Sequence, residues 1–392
     1  MTTATQVSER NSLRLMCLAG FASMASMRMC DPMLLELGQE FQVSTGEASS
    51  VVSAFAVAYG VLQLFYGPLG DRFGKQRVIS LAVLVCAILS GITAMASNLT
   101  VLVLMRAAMG AAAAGIIPLS MAWVGDHVPY ERRQETLAKL MGATVTGMMV
   151  GLWFGGFAAE TLGWRTAFVA MSGMFAVAAV LLLRQWNRLP SLVDMPASSL
   201  GAYLANTLKL LSARRVQQVL CVTAIEGALV FGTMAFMPTH LHQHYGLSVV
   251  AAGSVMMLYG VGGLLYSQLA RRWLALLGEK GLVITGSSLI VSGLLLLAWG
   301  NWPPVGMAGC FLSGLGFYML HNTLQTQATQ MAPETRGTAV TLFACLLFFG
   351  QSSGVLMAAE TVDLGWLSYT FTVAAVGVAL LGWAVSRLVG RH

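Results

Sequence analysis

Charge is what this sequence lacks most. Of its 392 residues only 10% are Asp, Glu, Lys or Arg, while 57% are hydrophobic. A water-facing surface normally draws on about 25% charged residues, so a soluble enzyme of this length is excluded. Cysteine is sparse as well: Cys17, Cys30, Cys86, Cys221, Cys310 and Cys345 sit singly inside apolar runs, which excludes a disulfide scaffold and reads as small core residues. The same runs exclude a disordered chain. There is no HExxH, phosphate loop or Ser-His-Asp cluster, and an enzyme is not expected.

What is abundant is apolar sequence in bilayer-crossing lengths. A hydrocarbon core about 30 Å thick needs roughly 20 apolar residues per helix. Twelve stretches qualify, near 15–37, 48–68, 78–96, 100–123, 136–159, 165–184, 216–239, 248–270, 281–299, 304–325, 338–359 and 367–386. They are too long for barrel strands and lack strict alternation, so helices are expected. The polar start through Arg14 precedes a span too long for a signal-peptide core and carries no clean small-residue cleavage site, so the first helix is expected to stay. A net charge of +6 raises the question of nucleic acid, but the placement of the basic residues answers it. With the N-terminus inside, every Lys and Arg except Arg28, Arg106 and Arg165 falls in a tail or an even-numbered connection, as cytoplasmic loops require. The expectation is a multi-pass protein of the cytoplasmic (inner) membrane with both termini cytoplasmic and the lipid bilayer, not nucleic acid, as its partner.

The longest polar stretch, within 185–215, divides the spans six and six. Residues 1–184 and 216–392 are therefore expected to form two six-helix bundles joined by a cytoplasmic linker. Its second half, from Ser199 to Arg215, reads either as an amphipathic helix on the inner membrane face or as a solvated loop. The halves resemble each other. AYGVLQLFYGPLGDR at 58–72 aligns without gaps with LYGVGGLLYSQLARR at 258–272, Pro129 and Arg132 match Pro333 and Arg336, and Leu162-Gly163-Trp164 matches Leu364-Gly365-Trp366. Six helices per half make these parallel repeats, and the fold class is all-α integral membrane, with twelve transmembrane helices in two pseudo-symmetric bundles around a shared cleft.

Here the chain resembles the major facilitator superfamily over nearly its whole length. The turn from Gly67 to Arg77 fits the family's G-x-L-a-D-R-x-G-r-k-x-x signature, and the resemblance implies a conformational latch of Gly67, Asp71, Arg72, Gly74 and Arg77 that engages in the outward-facing state. Arg106 to Gly110 is similar to the R-x-x-Q-G element, with Met109 in place of Gln. The run Gly147, Gly151, Gly155 and Gly156 is similar to the small-residue element of drug/proton antiporters, with Leu152 where that element has Pro; by itself the spacing means close helix packing.

Four ionised groups lie in the spans: Arg28, Asp31, Arg106 and Glu226. Each costs at least about 2.5–3.5 kcal/mol at a helix centre, so partners are required. Depth suggests Asp31 with Arg106, both roughly 9 Å below the outer helix ends, and Arg28 with Glu226 nearer the midplane, although Arg28 also lies one turn from Asp31. Pro32 adds a kink beside Asp31. The resemblance makes Asp31, Arg106 and Glu226 candidates for proton coupling; a static salt bridge is the competing reading. Arg28, Tyr318, His321, Asn322 and Gln351 are candidates for the substrate cavity, and Met24, Met27, Met33, Met234, Met237, Met256 and Met257 give either a soft wall or ordinary core. His240, His242 and His244 do not converge as metal ligands do and read as a polar turn.

The function expected is secondary active transport of a small organic molecule by alternating access, as proton-coupled efflux driven by the proton gradient, with no cofactor and no metal. The resemblance implies a monomer as working unit. The alternative is a uniporter or symporter of an organic anion or metabolite, with Arg28 and Arg106 holding the anion.

Overall fold

The computed structural model describes residues 3–185 and 200–389, all helix and short turns. The first crossing, α1, runs Thr3–Arg28, breaks, and resumes as Leu34–Phe41. It is followed by α2 (Thr45–Phe73), α3 (Lys75–Thr93), α4 (Leu99–His127), α5 (Tyr130–Thr161) and α6 (Trp164–Leu183). The second half holds α7 (Arg214–Gln243), α8 (249–277), α9 (279–299), α10 (Pro303–Gln330), α11 (Arg336–Asp363) and α12 (Leu367–Val389). The helices α8 and α9 form one helical run divided at Gly278, whose φ of 64° no L side chain adopts easily. Residues 186–199, fourteen of the thirty-one in the expected linker, lie outside the described residues, and a helix occupies Leu200–Leu211. Large apolar side chains such as Leu104, Val169, Val177, Leu356, Val373 and Leu380 face outward, as a surface solvated by lipid tails requires.

Glycine decides how closely the helices approach. Gly147, Gly151 and Gly155 of α5 lie one turn apart, and a Cβ on each would collide with the backbone of Phe21, Ala25 and Met29 on α1. The second half repeats this contact, with Gly350 and Gly354 of α11 against Ala224 and Ala228 of α7. Gly110 of α4 seats on Phe55 of α2, and Gly314 of α10 on Tyr259 of α8. Without a hydrophobic drive between helices in lipid, such backbone approach supplies the association energy. Gly156 faces the other way, toward Val249 and Gly253 of α8, so α5 packs within its bundle on one side and across the bundle interface on the other. The second cross-bundle seam joins α2 to α11, where Tyr59 tilts onto Phe348 at 4.7 Å.

These contacts correct the register of the repeat. The sequence alignment pairs Tyr59 with Tyr259 at an offset of 200, but the helix caps Ser44 and Ser248, the turn glycines Gly74 and Gly278, and the seated residues Phe55 and Tyr259 all match at 204. A four-residue slip turns a helix face by only about 40°, so the apolar pattern survives it and a recurring Tyr-Gly pair mimics homology. The Leu-Gly-Trp match holds, because Gly163 and Gly365 make the same turn at φ 81° and 75°.

The face carrying the basic turns is called inner here. The interface is shut at the outer face, through α2 with α11 and α5 with α8. At the inner ends Gly67, Gly142 and Gly337 look onto open space. With the cross-bundle contacts of Gly46, Gly156, Glu160 and Tyr59 in the outer and middle parts of the seams, the molecule is read as open to its inner side.

Gly151→Val is expected to lower the thermal midpoint in detergent by several degrees, since overpacking against backbone costs about 1–3 kcal/mol. Gly173→Ala, where nothing lies near the added Cβ, should be neutral or slightly stabilising in the same melting assay.

Candidate functional site

The site begins where α1 breaks. Pro32 has no N–H to give, the chain turns through a 3-10 segment at Asp31–Met33, and the carbonyls of Ser26 and Met27 lose their intrahelical partners. In a bilayer such carbonyls need donors. Arg106 of α4 supplies them: Nη1 donates to Ser26 O at 3.0 Å and Nη2 to Met27 O at 3.4 Å, while Nε donates to Val51 O of α2 at 3.3 Å. Its guanidinium also lies 4.2 Å from the Phe55 ring centre. The fixed fork of an arginine suits this three-way bridge as no lysine would.

Arg106 is thus committed to backbone, which corrects the pairing expected from depth. Asp31 pairs instead with Arg28, one turn away on the same helix, with Nη1 and Oδ2 3.4 Å apart. The contact is long, and Asp31 Oδ1 and Arg28 Nε are buried without a partner. Arg106 remains within electrostatic reach of Asp31, though not as its hydrogen-bond partner. Arg28 does not meet Glu226 either. Its guanidinium sits 4.5 Å over the ring of Phe231 in the opposite bundle, a cation–π contact. In the helix register set by Ala25 and Ala228, offset 203, Phe231 is the counterpart of Arg28 itself. Two residues related by a twofold axis touch only on that axis, so the Arg28–Phe231 contact marks the centre of the cleft.

Glu226 finds a different partner. Its Oε2 is 3.1 Å from Nδ1 of His321 on α10, while Oε1 is buried and unpartnered. Glu226 immediately precedes a π-helical turn, Gly227–Phe231, a distortion that recurs at functional sites. Here it carries the chain around Leu347 of α11, against which Gly227 is pressed, and turns Phe231 toward Arg28. His321 stacks on Phe317 at 4.9 Å and is partly open, as are Tyr318 and Asn322. Gln351 of α11 is buried with its Oε1 free. Thus Arg28, Asp31, Glu226, His321, Tyr318 and Gln351 surround one central region, whereas Arg106 braces it from behind.

Tyr259 was not singled out by its chemistry in the sequence, yet its buried hydroxyl is unpartnered and lies within electrostatic reach of Arg28, Glu226 and Tyr318. Only the register of α8 brings it here. Phe231 likewise carried no sequence signal. The methionines are mainly core: Met27, Met33, Met234, Met237 and Met256 are at most 2% exposed. Each histidine of the outer turn is held by a carbonyl, His240 by Leu297 O, His242 by Leu247 O and His244 by Gly300 O. At the inner turn, Gly74 makes the reversal at φ 85°, and Asp71 meets Lys75 at 3.2 Å, which also meets Asp126 at 2.6 Å. Arg72 lies over Phe73, and Arg77 is half-buried at the start of α3. Gly67 makes no close helix approach in this arrangement.

Two bundles of six membrane helices, meeting at a central buried polar cluster, define a membrane transport protein. A family model described as Major Facilitator Superfamily matches residues 16–355. The chain belongs to the Major Facilitator Superfamily and is a transporter of small molecules. An MFS-type transporter of uncharacterised role, YceJ of Bacillus subtilis (strain 168), is 26% identical over 340 residues, 84% of each chain. A Helicobacter pylori (strain J99 / ATCC 700824) relative named "Probable sugar efflux transporter" is 24% identical over 90% of this chain and 88% of its own. A solved mutant form of the nucleoside transporter NupG has the same fold, with a TM-score of 0.78 at 14% identity over 96% of this chain and 100% of that one.

The geometry predicts which residues are energetically coupled. In a double-mutant cycle, Asp31→Asn should not rescue the loss of thermal stability in Arg106→Gln, because the damage there is orphaned carbonyls at roughly 1–3 kcal/mol each. Arg28→Gln and Asp31→Asn should instead be non-additive, the double variant being more stable than the sum of the two losses.

Proposed function

We propose that this protein exports a neutral, hydroxyl-rich organic molecule across the cytoplasmic membrane by alternating access, driven by protons that pass inward through Asp31. The observation that carries the reading is the state of Asp31: it is 0% exposed, sits on a broken helix, and keeps one long contact with one oxygen unpartnered. Burial disfavours the ionised carboxylate and Arg28 favours it, so a modest change in access or partner decides whether the proton is held. Arg106, satisfied by carbonyls, braces this element without being consumed by the cycle. Glu226 with His321 is the second pair able to take up or release a proton, or to meet substrate with the free Oε1.

The substrate class follows from the unpartnered atoms. Arg28 Nε is a free donor, Glu226 Oε1 and Gln351 Oε1 are free acceptors, and the Tyr259 hydroxyl can serve as either. The rings of Phe231, Phe317 and Tyr318 stand beside them. Such a lining suits a ring bearing several hydroxyls, and the name of the Helicobacter relative supports both a sugar and the export direction. The anion reading is weaker, because Arg106 has its guanidinium engaged by three carbonyls and Arg28 already faces Asp31 and the ring of Phe231.

In the proposed cycle the inward-open form loads substrate from the inner face with Asp31 ionised against Arg28. Rocking of the bundles, with the Gly67–Arg77 turn latching the inner ends, exposes the site outward. Substrate leaves, Asp31 takes a proton from the outer side, and the return swing delivers it inward. The distribution of Lys and Arg supports an orientation with both termini in the cytoplasm, and the proposed cycle needs only one chain.

The test is flux in proteoliposomes with an imposed pH gradient and a panel of labelled sugars and nucleosides. Asp31→Asn should lower gradient-driven flux at least about tenfold while exchange of substrate across the membrane at equal pH survives. Undiminished gradient-driven flux in Asp31→Asn would remove Asp31 from the coupling scheme.

A further inference from the structure

The outer face is shut by two acids in positions that make little sense within their own helices. Glu160 and Asp363 stand at the C-terminal ends of α5 and α11, where the helix dipole is negative and an acid is disfavoured. Each reaches across the bundle interface to the start of a helix in the other half. Glu160 Oε2 accepts the backbone N–H of Val250 on α8 at 2.7 Å, and Asp363 Oδ1 accepts that of Gly46 on α2 at 2.8 Å. Asp363 Oδ2 also accepts the hydroxyl of Ser44 at 2.6 Å. The pairs are copies of one another, since Glu160 and Asp363 differ by 203 positions and the caps Ser44 and Ser248 by 204. At each receiving helix the serine satisfies the third N–H, of Glu47 or Ala251, and the foreign carboxylate satisfies the second. Gly46 is required because a Cβ there would strike Asp363 and the carbonyl of Ala359.

We propose that Glu160 and Asp363 form a two-point clasp that holds the outer face closed and sets the balance between inward- and outward-open forms. The inference rests on the alternating-access reading. When the outer face is shut, each acid trades the unfavourable end of its own helix for the favourable start of another; when it opens, both acids lose that partner together and two helix starts lose a capping oxygen. Because the clasps flank the interface on its two seams, α2–α11 and α5–α8, one alone still hinges the face, and release needs both. A bond of this kind at an exposed site shifts an equilibrium roughly threefold, and two acting on the same rigid bodies roughly tenfold.

Hydrogen–deuterium exchange of the full chain in lipid nanodiscs tests this without substrate or pH gradient, so failure of proton coupling through Asp31 leaves its outcome unaffected. In Glu160→Ala with Asp363→Ala, exchange should rise at the outer starts of α2 and α8 and fall at the inner turns 67–77 and 331–340, as the bundles rock outward. Each single variant should give the smaller change, and Glu160→Gln with Asp363→Asn, which keep an acceptor oxygen but lose the charge, an intermediate one. Unchanged exchange in the double alanine variant would overturn the proposal, and so would a rise at both faces, which signals loosening and not rocking.

Discussion

A helix cannot be broken inside a bilayer unless something takes up the carbonyls the break sets free. Pro32 breaks α1, and Arg106 takes up Ser26 O and Met27 O while its Nε holds Val51 O of α2. That bridge fixes the depth of the turn bearing Asp31 and directs Arg28 across the cleft to Phe231. A buried guanidinium held by carbonyls and an aromatic face is tolerable in hydrocarbon; the same group facing lipid is not. Once Arg106 is committed in this way, Asp31 is left with one long contact, to Arg28, and one oxygen without a partner.

The duplication supplies the machine and its divergence supplies the chemistry. Glycine contacts repeat almost residue for residue between the halves, because backbone approach tolerates no side chain and therefore little drift. The charges do not repeat. The counterparts of Arg28, Asp31 and Arg106 are Phe231, Met234 and Cys310, and the counterpart of Glu226 is Ser23. One bundle thus carries the break and its charges, while the other offers aromatic rings, Glu226 with His321, and the π-helical turn that bends around α11. The two meet on the pseudo-twofold axis, where rocking alters their separation least and their exposure most.

Contacts at the outer and inner ends divide the labour of holding the two forms. At the outer face Gly156 of α5, Gly253 of α8 and the capped helix starts are engaged, and the Tyr59–Phe348 contact lies deeper, at the helix middles. At the inner face Lys75 turns to Asp71 and Asp126 of its own bundle while Gly67 stays open.

The amino-acid sequence by itself determined the solvent, the span count and the duplication, because each is a sum over many residues: scarcity of charge, apolar length and repeated turns. It also marked Arg28, Asp31, Arg106 and Glu226, since charge in an apolar span stands out. It could not say who meets whom. Depth along a helix is legible from spacing, but partner choice depends on rotation about the axis and on backbone atoms that every residue shares. Hence Arg106 reached for carbonyls, Glu226 for His321, Tyr259 entered the site unannounced, and the α2–α8 alignment sat one helical turn out of register. Only the packed structure fixes rotation, because glycine-mediated contact between backbones is what sets it.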